Sequence, residues 1–153
     1  MTLSTPTVGS VAPAFTIDGT GGPVTLSSFR GKQHVLLAFF PLAFTSTCTA
    51  ELCAFTEDYS AFAGKDVVVV PISVDAVPSL REFRAKYSMS VDLASDFKRE
   101  VSRSYGVLHA ERFYSKRAYF LIDKQGIVRW SFVEVMPGTR RENSEIIAEI
   151  AKL

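Results

Sequence analysis

An α/β fold with a mixed central sheet is what this chain predicts, and two observations carry it. Val35-Leu36-Leu37-Ala38-Phe39-Phe40 and the β-branched run from Val67 to Val74 are continuously apolar, which suits strands covered on both faces. Between and after them the apolar residues recur at helical spacing, and strand, helix and strand in succession imply parallel neighbours. Ala118 to Ile122 and Ile127 to Val135, joined by Asp123-Lys124-Gln125-Gly126, instead predict an antiparallel hairpin.

In chain order, Ala14 to Ile17 and Val24 to Leu26 bracket Gly19-Thr20-Gly21-Gly22-Pro23 and read as a small N-terminal hairpin. Pro41 ends the strand 35–40. Thr45 and Ser46 are the expected N-cap residues of a helix over Thr49 to Phe62, with Leu52, Phe55, Tyr59 and Phe62 on one face. Pro78 opens a helix through Tyr87, with Leu80, Phe83 and Tyr87 aligned. Asp96 to Tyr105 reads as a short helix before Gly106, Leu108 to Lys116 as irregular, and Glu142 to Lys152 as the closing helix. There is no repeat or low-complexity segment, so residues 1–153 are expected to form a single domain.

Lysine and arginine total 17 against 16 acidic residues, which gives no reason to expect a nucleic acid or an anionic membrane as partner. Small neutral substrates fit that balance better. Two cysteines are too few for a secreted disulfide scaffold, and Met1 to Phe15 lacks the basic start and apolar core of a signal peptide. The expected compartment is the cytoplasm. No apolar run approaches the ~18 residues needed to cross a bilayer.

Cys48 lies where the buried strand gives way to the helix, in its first turn. There the unpaired backbone N–H groups and the positive end of the helix dipole favour a thiolate over a thiol. A thiolate is a nucleophile. By itself a lone cysteine is more often a small buried hydrophobe, so the surrounding residues must decide.

Four segments do so. Pro41-x-x-x-Thr45-x-x-Cys48 resembles the active-site signature of the peroxiredoxins, cysteine-dependent peroxidases of the thioredoxin fold. Ser115-Lys116-Arg117-Ala118-Tyr119-Phe120-Leu121-Ile122-Asp123 resembles that family's arginine-bearing strand, Val8 to Phe15 its "G-x-x-A-P-x-F" opening, and Leu26 to Lys32 its "L-x-x-F-x-G-K" segment. They stand in the family order across residues 8–123. The resemblance implies a thioredoxin-like fold with an N-terminal β-hairpin extension and an antioxidant activity on hydrogen peroxide and organic hydroperoxides. It further implies Cys48, Thr45, Arg117 and Pro41 as the catalytic set.

The chemistry fits those residue types. When a thiolate attacks the distal oxygen of a hydroperoxide, charge builds on the departing oxygen and needs donors aimed at it. Thr45, the backbone N–H groups near Cys48 and the always-charged Arg117 are the candidates. Pro41 would cover the pocket and shape its loop. Glu51 matches a frequent acidic position of the family and is expected to partner an arginine, a solvated first-turn carboxylate being the alternative. His109 is expected to be a surface histidine rather than a catalytic one. No bound metal or other cofactor is called for.

The sulfenic acid formed on Cys48 must be returned to the thiol. Cys53 is placed as in the Q-type, or bacterioferritin-comigratory, branch, where a cysteine on the same helix resolves the first. In an intact helix the two Cα atoms stand ~8.6 Å apart with diverging side chains, beyond the ~7 Å that disulfides rarely exceed. The first turns would therefore have to unwind, making local unfolding a catalytic step. Phe40-Pro41-Leu42-Ala43-Phe44-Thr45 is closer to the one-cysteine branch named after alkyl hydroperoxide reductase E, where an external thiol completes the cycle and Cys53 would be structural. Both remain open at this point, as do thioredoxin or another thiol as reductant, and a monomer or a homodimer packed through Leu42-Ala43-Phe44. Outside the family, a thiol–disulfide oxidoreductase lacks its Cys-x-x-Cys here. A metal carrier would need His34 or His109 in register with the cysteines, and a noncatalytic domain of the same fold would leave the assembled set unexplained.

Overall fold

Alternation along one strand decides how the core is divided. The computed structural model describes residues 4–136 and 138–153, so the first three residues of the Met1 to Phe15 stretch lie outside it. Strand β3 (His34–Phe39) sends Leu36 and Ala38, followed by Phe40, into one apolar cluster and Val35, Leu37 and Phe39 into another. Both faces are covered, which is why its sequence is a continuous apolar run rather than an alternating one.

β3 is the middle of a five-stranded sheet whose order is β5-β4-β3-β6-β7. β4 (Val67–Ser73) pairs parallel with β3 and with the two-residue β5 (Ala94–Ser95), whereas β6 (Ala118–Ile122) and β7 (Val128–Val133) add antiparallel. The sheet is mixed, as expected. The N-terminal hairpin forms as a separate two-stranded sheet of β1 (Thr16–Ile17) and β2 (Val24–Thr25), followed by a 3-10 turn over Leu26–Phe29.

The first face is covered by α1 (Ser46–Glu57), α3 (Val77–Lys86) and α5 (Asn143–Ile150), which bring Leu52 and Phe55, Leu80 and Phe83, and Ile146 and Ile150 onto it. On the second face α4 (Glu100–Ser104) contributes Val101, and Tyr105 and Val107 follow it.

The helix expected behind an N-cap at Thr45 or Ser46 starts at Ser46, but instead of running to Phe62 it breaks at Asp58, with α2 (Tyr59–Ala63) following. The Asn143 amide donates to Ala54 O at 2.9 Å and to Asp58 Oδ2 at 2.8 Å, so a side chain from α5 ties off the end of α1. The helix expected from Asp96 begins only at Glu100, because the Asp96 carboxylate accepts from the N–H groups of Val101 and Ser102 at 3.1 and 2.7 Å and caps from outside. Thr45 holds the N-cap position of α1 without a side-chain capping bond. Its hydroxyl donates instead to Leu42 O at 2.8 Å, closing the preceding turn.

Candidate active site

Two periodicities meet at the end of β3. The register pairs Phe39 with Ala118, so Arg117 stands beside the point where the chain leaves the sheet at Phe40 and Pro41. Its own carbonyl accepts from Glu134 N at 2.8 Å, and Ser115 Oγ donates to Phe40 O at 3.1 Å, which fixes the backbone on both sides. Arg117 and Tyr119 are two residues apart on an extended segment and share a face. Cys48 and Glu51 are three apart on α1 and share a helix face. The two pairs face each other.

Arg117 Nη2 donates to Cys48 Sγ at 3.1 Å, and Nη1 donates to Glu51 Oε1 at 2.9 Å. The Tyr119 hydroxyl donates to Glu51 Oε2 and accepts from Arg141 N at 3.0 Å. All four side chains are buried, Cys48 completely and Arg117 to 2% exposure. Burial pushes the Glu51 carboxyl above its ordinary range, against which Arg117 and the Tyr119 hydroxyl favour its charged form. Burial likewise works against the charge of Arg117, and Glu51 and Cys48 more than offset it, so the guanidinium is held as a cation. A planar fork that serves a carboxylate with one arm and a sulfur with the other suits a thiolate. Glu51, for which a solvated carboxylate was the alternative, is 1% exposed and paired.

The loop between β3 and α1 is held from the sheet. Ala43 N donates to Asp75 Oδ2 at 2.8 Å, and Ser73 Oγ donates to the same oxygen at 2.8 Å from the end of β4. Phe44 adopts a left-handed φ of 67° and lays its ring 4.8 Å from that of Phe83 while staying 48% exposed. Pro41 is buried and, with Arg117, lines a cleft that also touches His109, Arg112, Tyr114, Ser115 and Lys116. His109, expected at the surface, is half-buried, and its Nδ1 accepts from Glu111 N at 3.3 Å. Thr45 is exposed and its carbonyl accepts from Thr49 N and Thr49 Oγ1, so Thr45 orders the entrance of α1 through its carbonyl as well as its hydroxyl.

Cys53 is in a different setting. It is half-buried on the same unbroken helix, and burial followed by the nearby Glu57 carboxylate pushes its thiol up. Both cysteines are free thiols. Among the described residues, no group of three or more His, Cys, Asp or Glu side chains is placed to hold a metal ion, and no helix is long and apolar enough to cross a membrane. Sequence reasoning missed Tyr119, Asp75 and the anchoring Arg141. Tyr119 alone carried a signal, since a polar group two residues beyond an arginine on an extended segment shares its face.

A buried cysteine that accepts a hydrogen bond from an arginine at the end of the central strands of a thioredoxin-like sheet defines a thiol-chemistry protein. Residues 8–131 match the AhpC/TSA family. Peroxiredoxin 2 of Thermoplasma acidophilum is 37% identical over 152 residues, 95% of this chain and 75% of that protein. Alkyl hydroperoxide reductase E of Mycobacterium bovis is 36% identical over 138 residues, 88% of this chain and 90% of that protein. The crystal structure of the reduced 2-Cys peroxiredoxin of Plasmodium vivax superposes with a TM-score of 0.89 at 33% identity, covering 95% of this chain and 81% of that one. The chain belongs to the AhpC/TSA family of peroxiredoxins.

Proposed function

We infer that Cys48 is the sulfur with which this peroxiredoxin, a thiol-dependent peroxidase, attacks its hydroperoxide. The observation that carries the assignment is the 3.1 Å bond from Arg117 Nη2 to Cys48 Sγ inside a buried site. The thiolate forms a bond to the distal oxygen, the O–O bond breaks, and the departing oxygen takes a proton to leave as water or an alcohol. Arg117 stabilises the charge as it moves from sulfur to oxygen. Thr45 Oγ1, expected as a donor to the departing oxygen, has its hydrogen on the Leu42 carbonyl and offers instead a lone pair to the hydroperoxide O–H. Pro41 covers the pocket without an N–H of its own, and Glu51 fixes the second arm of Arg117.

The sulfenic acid then condenses with Cys53, releasing water and forming a disulfide that thioredoxin or a similar thiol partner reduces. Because both cysteines sit in the helix Ser46–Glu57, this step requires its first turns to open. That same continuity favours a second reading, in which Cys53 is structural and an external thiol reduces the sulfenic acid. Mass spectrometry after one equivalent of peroxide separates the two: self-resolution gives an intramolecular Cys48–Cys53 disulfide, and a persistent sulfenic acid with free Cys53 rejects it. We propose that residues 1–153 act as one domain in the cytoplasm, where reductases return both thiols. The exposed ring of Phe44 beside the site supports the 42–44 segment as the contact of a homodimer, the alternative being a monomer.

A further inference from the structure

A buried hydroxyl between a fixed donor and an acceptor can face only one way. Tyr119 is completely buried, and its oxygen lies between Arg141 N, at 3.0 Å, and Glu51 Oε2. A backbone N–H can only donate, so it occupies a lone pair of that oxygen. The single hydroxyl hydrogen then goes to Glu51 Oε2, the acceptor it meets among the described residues. Burial, followed by the charge of Glu51, pushes the Tyr119 hydroxyl well up, so it keeps this hydrogen throughout the working range.

The other Glu51 oxygen accepts as well, from Arg117 Nη1 at 2.9 Å. With a donor on each oxygen the carboxyl has no need of a proton, and both bonds favour its charged form against the cost of burial. Take away the Tyr119 hydroxyl and Oε2 becomes a buried oxygen without a donor, where binding a proton is favoured. A neutral Glu51 no longer forms an ion pair with the guanidinium whose other arm reaches Cys48 Sγ at 3.1 Å.

The N–H that sets the direction of these bonds is itself anchored. Arg141 Nε and Nη2 donate to the two oxygens of Glu134 at 2.7 and 3.2 Å, and Thr139 Oγ1 donates to Oε1 at 3.1 Å. Glu134 follows β7 directly and is 6% exposed. The segment 139–141 is thus pinned to the sheet.

We propose that Tyr119 is a positioning residue of the peroxidase step: it holds Glu51 as a carboxylate and thereby keeps Arg117 clamped against the Cys48 sulfur. It touches neither sulfur nor peroxide and transfers no proton. The groups that bear on Glu51 are Arg117 and Tyr119 from β6 and the residue before it, Arg140 from the segment before α5, and Cys48 on its own helix. All but the hydroxyl survive in Tyr119→Phe.

This assignment rests on the peroxidase reading, and its test separates the two. Single-turnover rate constants for hydrogen peroxide are measured by stopped flow as a function of pH for the wild type, Tyr119→Phe, Glu51→Gln and the double variant. The constant comes from the time course and not the amplitude, so a smaller folded fraction does not move it. Tyr119→Phe is expected to be about tenfold slower near neutral pH, a smaller loss than that of a donor acting on the developing charge itself. The gap should close as pH rises and Glu51 gives up the proton that the substitution let it bind. In the Glu51→Gln background there is no such proton, so adding Tyr119→Phe should change the rate by less than about twofold at any pH. Superimposable pH profiles for the wild type and Tyr119→Phe, or an equal loss in the Glu51→Gln background, overturns the assignment. A wild type that does not consume hydrogen peroxide overturns the peroxidase reading and the assignment with it.

Discussion

Two cysteines of one helix, five residues apart, live in opposite surroundings. Cys48 is completely buried and receives an arginine at 3.1 Å, whereas Cys53 is half-buried with burial and a carboxylate pushing its thiol up. Both side chains leave the same regular backbone. Position along it decides. In the first turn Cys48 faces the end of the central strands where Arg117 stands, and the 140° or so of rotation over five residues carries Cys53 away from it. The two surroundings are thus assigned by place along the helix, the first turn with its unpaired N–H groups for Cys48, and by what each turn is packed against.

The sharpest way to break this contrast is to remove each sulfur in turn. Cys48→Ser should abolish peroxide turnover, and Cys53→Ser should leave the first oxidation intact, measured as single-turnover peroxide consumption. Equal peroxide reactivity in the wild type and Cys48→Ser would erase the distinction.

A smaller but still large effect is expected at the arginine. Lysine keeps the charge but cannot serve Glu51 and the sulfur with one planar fork. Arg117→Lys should slow the reaction with peroxide by about a hundredfold, the usual consequence of losing a donor at developing charge. A rate constant within a factor of about three of the wild type would show that charge alone suffices.

The finest test concerns Tyr119, which touches Glu51 and not the sulfur. Tyr119→Phe keeps the ring and removes the donor to a buried carboxylate, a change expected to cost about 1–3 kcal/mol of stability. The sign with pH follows from the carboxyl. Burial already raises Glu51 above its unfolded value, so its contribution is fully present below the ordinary carboxylate range and declines as pH rises toward the folded pKa. Losing the hydroxyl raises that pKa further, since the donor favoured the charged form. The destabilisation of Tyr119→Phe should therefore grow as pH rises above the ordinary carboxylate range in urea titrations, and a pH-independent difference would mean that the hydroxyl does not influence the ionisation of Glu51.

Much of this arrangement was legible beforehand, and for local reasons. The apolar runs at 35–40 and 67–74 and the hairpin around Asp123 to Gly126 declare themselves through periods of two and continuous hydrophobicity, and the structure places strands there. The same holds for Cys48 in the first turn of α1. What escaped was set by distant partners. Asp58 ends a helix because Asn143, 85 residues away, binds there. Asp96 caps α4 instead of joining it because two N–H groups reach back to its carboxylate. Thr45 uses its hydroxyl on Leu42, so a residue with good capping chemistry makes no capping bond.

The sequence by itself determined the strands, the helices, the family resemblance and the sulfur at the head of α1, because each depends on residues close together in the chain. Only the tertiary structure decided which groups surround that sulfur. Arg117 is 69 residues from Cys48, Tyr119 is 68 from Glu51, and both meet α1 through strand register. Register is a property of paired backbones, and a shift of one residue would turn both side chains to the opposite face of the sheet.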